Sequence, residues 1–348
     1  MEIIKTAVAA PNIALVKYWG KRDNLLKLAY NDSISITLDD SVIFTKTTVG
    51  LSEKLKKDVI IFNGKKVEDE KIAEWIELAR GRVAKKAPEI AEMGMLIVTK
   101  NNFPSSAGIA SSASGFAALS EAFCACAKIT DAKEKSIIAR LGSGSASRSV
   151  IGGFSQWVCG RRPDGEDSYA VQLAPKKHWD ELVDVIAIIS SAKKKISSKE
   201  GMENTAKNSP LFACRLKEVN ERIGRVQKAI LKKDFESLAN EMMRDSNSMH
   251  ATALDSWPPV FYLNDVSREI IEETHKLNER GIVAGYTFDA GPNAHIICEK
   301  KNLQKVKNML LKVKGVKKII CAGVGGGSKI VEGENKEFAK FVKKYLPK

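Results

Sequence analysis

No stretch of this 348-residue chain stays apolar for the ~20 residues that a membrane-spanning helix needs, so no membrane partner is expected. No secretory leader is expected either. Met1-Glu-Ile-Ile-Lys5 runs directly into an apolar segment without the charged, apolar and cleavage regions of a signal peptide, and a cytoplasmic location is the expectation. Cysteine is sparse: Cys124, Cys126, Cys159, Cys214, Cys298 and Cys321 are scattered and show no metal-site spacing. Cys124 and Cys126 stand two apart on an expected helix, where their side chains diverge. All six are expected as reduced packing residues. Aromatics make up 7% of the chain and nowhere alternate with Lys or Arg, which argues against a binder of single-stranded nucleic acid. The chain also lacks internal repeats and low-complexity segments.

Acidic residues are outnumbered, 42 against 56 basic ones, for a net charge of +14. A field of that sign suits either a nucleic acid or a small polyanion. Because the lysines are spread along the chain, a small phosphorylated substrate is the favoured partner and nucleic acid is not. A chain of this length is comfortable as two domains. The basic, polar run Lys193-Lys-Lys-Ile-Ser-Ser-Lys-Glu-Gly-Met202 marks their approximate boundary, giving residues 1–190 and 191–348.

The most informative stretch is Asn101-Asn-Phe-Pro-Ser-Ser-Ala-Gly-Ile-Ala-Ser-Ser-Ala-Ser-Gly115. It follows an expected strand, Met95–Thr99, and precedes an apolar run from Phe116 to Ala127 that reads as a helix. The first N–H groups of a helix lack partners and carry partial positive charge, which suits an anion. Ala107, Gly108 and Ala110 let backbone approach a phosphate, and Ser105, Ser106, Ser111 and Ser112 add hydroxyls. The Gly-Lys-Ser/Thr ending of a Walker loop and the spacing of a Rossmann fingerprint are both missing, and a serine-capped core helix is the competing reading.

Other segments carry chemistry. Asn12-Ile-Ala-Leu-Val-Lys-Tyr-Trp-Gly-Lys-Arg-Asp23 gathers Lys17, Lys21 and Arg22 beside aromatics, and cations so placed call for phosphate or carboxylate. Arg140-Leu-Gly-Ser-Gly-Ser-Ala-Ser-Arg-Ser-Val-Ile-Gly-Gly153 reads as a second anion site, with Arg148 able to fork onto a phosphate or carboxylate, or as a solvated loop. Asp289-Ala-Gly-Pro-Asn293 is a tight turn between strands Ile282–Phe288 and Ala294–Cys298, where an acidic residue suits either catalysis or turn capping. Asp58–Phe62, Asn63-Gly64 and Lys65–Val67 predict a hairpin, and Lys71–Lys85 a helix. Val183–Ser190 reads as a buried strand. Leu211 to Asp245 predicts one or two long helices that end at Asp245-Ser-Asn-Ser-Met-His250, and Gly323-Val-Gly-Gly-Gly327 reads as phosphate support or a mobile connection. Hairpins mixed with helices argue for an α+β chain.

Together the 12–23, 101–112, 142–149, Asp245-Ser-Asn-Ser-Met-His-Ala-Thr252 and Tyr286-Thr-Phe-Asp-Ala-Gly-Pro-Asn293 segments resemble the GHMP kinase superfamily, and within it the mevalonate diphosphate decarboxylases. The resemblance implies a two-domain α+β GHMP kinase fold, with a ribosomal protein S5 domain 2-like N-terminal domain and a ferredoxin-like C-terminal domain. It also implies ATP with Mg²⁺, a homodimer, and a reaction that phosphorylates the 3-hydroxyl of a phosphorylated mevalonate before phosphate and CO₂ leave. Asp289 matches the family's catalytic aspartate and Lys17 the motif lysine near it, while Arg148 and Asn12 match positions holding the substrate carboxylate. Tyr18, Lys21, Ser143 and Ser145 match contacts to substrate phosphate or hydroxyl, and Ser198 and Lys199 lie toward the 5-phosphate end. Asn101, Ser105, Ser106, Ala107, Gly108, Ala110, Ser111 and Ser112 match the ATP site. No residue is assigned firmly to metal; Mg²⁺ enters with ATP, and Ser112 is its candidate hydroxyl. Because positive charge develops at carbon 3, Lys17 is expected to face the phosphates or pair with Asp289 rather than press on that carbon. Leu28-Ala-Tyr-Asn-Asp-Ser33 departs from the family's usual Leu-Pro, and Lys199 stands where many bacterial relatives carry Arg. The 5-diphosphate is the first expectation for the substrate, with the 5-phosphate or 3,5-bisphosphate as alternatives.

Overall fold

A computed structural model describes residues 2–103, 111–190 and 195–346. Among the described residues three large sheets stand beside a two-stranded one, Lys21–Asp23 with Leu28–Ala29. In the first, strands run in the spatial order Lys329–Ile330, Ile3–Ala9, Thr45–Ser52, Gly94–Asn101, Val59–Phe62 and Lys65–Val67. Helix Ser111–Cys126 lies on this sheet with nearly every side chain buried, and its alanines Ala117, Ala118 and Ala122 allow a close approach. The expected hairpin is present: Asn63 and Gly64 take φ of 48° and 79°, as a primed turn requires. Helix Glu70–Val83 starts where Asp69 accepts the N–H groups of Lys71 and Ile72, and it buries Trp75, Ile76, Ala79 and Val83.

The second sheet has the order Tyr169–Ala174, Phe154–Val158, Ser33–Thr37 and Asn12–Val16. The third is antiparallel throughout, ordered Ala284–Phe288, Ala294–Glu299, Leu182–Ile188 and Lys318–Gly323. Counted along the chain, that is second, third, first, fourth: the split βαββαβ arrangement of a ferredoxin-like domain. One continuous core joins these two sheets, in which Ile13, Leu15, Ile34 and Ile36 share a cluster with Val185, Ile186, Met242 and Phe288.

Strand Leu182–Ile188 belongs to the third sheet, and strand Lys329–Ile330 returns to the first. Other expectations change. Ser198–Asn208, within the expected boundary run, is a helix closed by a Ser197–Glu200 capping box. Asp245–His250 does not end a helix; Phe235–Asp255 is continuous, because Asp245 and Ser246, which resemble a break, are buried against tertiary partners. Among the cysteines, which are all free, Cys214 is exposed rather than packed.

The glycine run 323–327 is neither a phosphate loop nor a loose connection. It crosses the second sheet in backbone contact, bridging Leu38 to Val324 and Gly152 to Gly326. A Cβ on Gly325 would sit 1.9 Å from the Leu38 carbonyl oxygen, and backbone cannot yield there. Gly325→Ala should therefore cost about 2–3 kcal/mol, seen as a lower urea midpoint at unchanged slope.

Candidate active site

The site begins with a bulge. Strand Asn12–Val16 slips register between Ala14 and Val16 against Ser33–Thr37, and such a bulge re-aims the residues around it. The Ala14 carbonyl then accepts from Lys17 Nζ at 3.0 Å and from Thr287 Oγ1 at 3.4 Å. From the third sheet, strand Ala284–Phe288 ends at Asp289, whose turn is tied back where Asn293 Oδ1 accepts the N–H groups of Ile189 and Ser190. Lys17 Nζ donates to Asp289 Oδ1 at 2.7 Å, with the lysine side chain 4% exposed and the aspartate 31%. Of the two positions expected for Lys17, it occupies the one paired with Asp289.

This pair lies in the wall of a cleft of about 500 Å³. Arg148, 2% exposed, lines it too. Its Nε donates to Ser35 Oγ at 2.9 Å, Nη1 to Ser33 Oγ at 2.5 Å, and Nη2 to Asn12 Oδ1 at 3.1 Å. Asn12 spends its own Nδ2 on the Ser145 carbonyl and Ser149 Oγ, both at 2.8 Å. Asn12 thus orients the guanidinium, and the gathered segment is a built arginine site rather than a solvated loop. No carboxylate pairs with Arg148 among the described residues, and burial pushes its pKa down to about 10 against the favourable Asp289 charge. A buried cation so placed suits a ligand carboxylate.

Tyr18 packs its ring edge on Trp157 at 4.8 Å, and burial raises its hydroxyl's pKa. Ser143 and Ser145 face each other at 3.0 Å and Ser112 lies 3.5 Å from Ser143, all in the cleft wall. Farther along, Lys21, Lys199 and Ser198 line the cleft together with Lys27 and Lys71, two lysines that had no sequence signal beyond their charge. Lys27 has a carboxylate at 2.9 Å in Glu74. Lys21 is pushed down to about 8, first by burial and then by the Lys27 and Lys199 charges. Behind the ion pair, burial and then Lys17 push the His250 imidazole down to about 3, so it adds no cation there.

A second, more apolar pocket of about 270 Å³ opens beside the cleft. Asn101 lines it from the end of strand Gly94–Asn101, with Oδ1 held by Thr45 Oγ1 at 2.8 Å. Ser111, Ser112 and Lys71 line both pockets, so the start of helix Ser111–Cys126 is a shared wall. The expected ATP-loop residues Ser105, Ser106, Ala107, Gly108 and Ala110 lie outside the described residues. Two adjoining pockets, one polar and cationic with an embedded carboxylate, suit transfer between two anionic ligands.

The sequence matches the diphosphomevalonate decarboxylase-like N-terminal domain over residues 9–170 and the mevalonate 5-diphosphate decarboxylase C-terminal domain over residues 184–342. The chain belongs to the diphosphomevalonate decarboxylase family. Diphosphomevalonate decarboxylase of Candida albicans is 44% identical over 92% of this chain and 96% of its own. The solved Enterococcus faecalis mevalonate diphosphate decarboxylase, for which mevalonate diphosphate mediated ATP binding is described, is 34% identical with a TM-score of 0.86, covering 95% of this chain and 99% of that one. A structure of MDDEF in complex with MVAPP, AMPPCP and magnesium has the same identity, TM-score and coverage.

Behind the cleft, sequence reading gave no site role to Asp245, Ser246, Arg215 and Asn31, all buried, whose side chains bond the Lys17 and Phe288 main chain. A charged residue set among Ser and Asn on an otherwise amphipathic helix was the available signal.

The cationic end has a direct readout. A lysine titrating near 8 is a free amine at a pH where ordinary lysines, near 10.4, are not. Lys21 carries its charge below that pH and loses it above. Competitive acetylation followed by mass spectrometry should show Lys21 half-reactive near pH 8, and exposed lysines only about two pH units higher.

Proposed function

We propose that this chain converts (R)-mevalonate 5-diphosphate to isopentenyl diphosphate, with ATP becoming ADP and with release of phosphate and CO₂. The Lys17–Asp289 contact of 2.7 Å, in one cleft with an arginine that has no carboxylate of its own among the described residues, carries this reading. The family relatives, with their mevalonate diphosphate, MVAPP, AMPPCP and magnesium, supply the substrates' identity. The enzyme is proposed to work as a cytoplasmic homodimer.

A tertiary 3-hydroxyl is a poor leaving group until it is phosphorylated. In the proposed reaction Arg148, oriented by Asn12, holds the substrate carboxylate, and Tyr18, Ser143 and Ser145 border the hydroxyl-bearing carbon. Lys21, Ser198 and Lys199 take the 5-diphosphate. The 3-hydroxyl oxygen attacks the terminal phosphorus of ATP as an Asp289 carboxylate oxygen orients or accepts its proton, and ADP leaves. The C3–O bond then breaks with its electron pair departing on phosphate. Positive charge developing at C3 faces Asp289, while the Lys17 ammonium is held on the carboxylate instead of against that carbon. The pair of electrons from the C–COO⁻ bond closes the double bond, and CO₂ departs. Ser111 and Ser112, in the wall shared by both pockets, border the transferred phosphoryl group. Mg²⁺, when bound with ATP, would neutralise nucleotide phosphate charge, and the Ser112 hydroxyl in the shared wall would be its candidate protein ligand.

Lys199 offers a point charge where an arginine would offer a fork, which keeps a monophosphate tail as the second reading. CO₂ release with ATP and Mg²⁺ should favour mevalonate 5-diphosphate over the 5-phosphate by about tenfold or more in kcat/KM, the scale of one charged contact. The reverse preference assigns the chain to the 5-phosphate. In the same assay Asp289→Asn should lose about 10²–10⁴-fold in kcat with substrate affinity nearly unchanged, and retained turnover removes Asp289 from the chemistry.

A further inference from the structure

Two consecutive residues of one helix hold the backbone on either side of the ion pair. In helix Phe235–Asp255, Asp245 Oδ2 accepts the Lys17 N–H at 2.7 Å, and Ser246 Oγ accepts the N–H of Phe288 at 3.0 Å. Phe288 is the residue before Asp289. Neither acceptor lines the cleft, and they are 0% and 1% exposed. Successive helical residues point about 100° apart, so one turn of helix reaches two backbones that arrive from different sheets. The Lys17 carbonyl is fixed as well, by Asn31 Nδ2 at 3.1 Å and Arg215 Nη2 at 3.2 Å.

A simpler role for Asp245 is to neutralise the buried Arg215 and Arg222. Distances decide against that as its whole purpose. Its guanidinium contacts are long, 3.3 Å to Arg215 and 3.5 Å to Arg222, whereas the bond to the Lys17 amide is short. Arg222 already has Glu218 and Glu241, each at 3.0 Å, whereas Arg215 has Asp245 as its one carboxylate partner among the described residues. Ser246 has no charge to balance, and its hydroxyl serves the Phe288 amide.

We infer that Asp245 and Ser246 are positioning residues, which set Lys17 and Asp289 at contact distance before any substrate arrives. This rests on the catalytic reading of that pair given above. Reacting groups displaced by about 1 Å can lose 10²-fold in rate, so the helix governs turnover without touching a ligand.

Ser246→Ala deletes one acceptor and little volume. It should melt as a folded protein, bind mevalonate 5-diphosphate in calorimetry within about threefold of wild type, and lose at least about tenfold in kcat for CO₂ release. Its crystal structure should show Lys17 Nζ and Asp289 Oδ1 separated beyond 3.5 Å, the limit of a hydrogen bond. Ser246→Thr, which keeps the oxygen, should recover most of the rate. A kcat within twofold of wild type, a loss expressed in KM with kcat unchanged, or a Lys17–Asp289 contact of native length in Ser246→Ala overturns the inference. Should Ser246→Ala not fold, Asp245→Asn is read by the same criteria. Failure of the wild type to release CO₂ would sink the proposed reaction alone, because the contact distance is measured without substrate.

Discussion

A buried ammonium needs a partner, and much of this molecule follows from supplying one. Desolvating Lys17 to 4% exposure costs several kcal/mol unless a carboxylate meets it. The carboxylate comes from Asp289, 272 residues away and on another sheet. Their contact requires the two four-stranded sheets to keep a fixed relation. The shared core from Ile13 to Phe288 provides the bulk of that rigidity, and the glycine strap at 323–327 ties the third sheet's last strand across the second. Helix Phe235–Asp255 then trims the fit by gripping the Lys17 and Phe288 amides.

The electrostatics have the same logic on a larger scale. A surplus of 14 positive charges is spread along the sequence, yet folding brings Lys17, Lys21, Lys27, Lys71, Lys199 and Arg148 to one cleft. Burial there weakens the protonated form of both Lys21 and Arg148. Such a cluster is unfavourable to itself and is relieved by an anion. The second pocket shares a wall with the first, a geometry that would hold two reactants side by side, and reactants so held gain the rate that free solution denies them.

Local features were legible in the sequence. The Asn63-Gly64 hairpin, the capped helix from Glu70 and the strand leading to Asp289 follow from turn chemistry and apolar period, which depend on neighbours along the chain. Lys17 stood out in the sequence for the cations and aromatics around it, Arg148 for its Gly/Ser run and Asp289 for its Gly-Pro turn, and the fold brings the three to one cleft. Asp245 and Ser246 were read as a helix end, since Asp, Ser and Asn usually serve caps; only the fold reveals that their partners are the Lys17 and Phe288 amides. The glycine run was misread for a similar reason. What requires glycine there is the Leu38 backbone, nearly 300 residues distant in sequence, and no local pattern announces it. Strand Leu182–Ile188 likewise carries no mark of the sheet it joins, because a fully buried strand looks alike in either.

In the proposed reaction, phosphoryl transfer and loss of CO₂ form a single closed sequence in one cleft. Rapid-quench analysis of one turnover, with enzyme in excess over mevalonate 5-diphosphate and with ATP and Mg²⁺ present, tests it most directly. ADP, inorganic phosphate and CO₂ should accumulate in equal final amounts. ADP formed without matching phosphate and CO₂ would contradict the account and leave a phosphoryl transferase in its place.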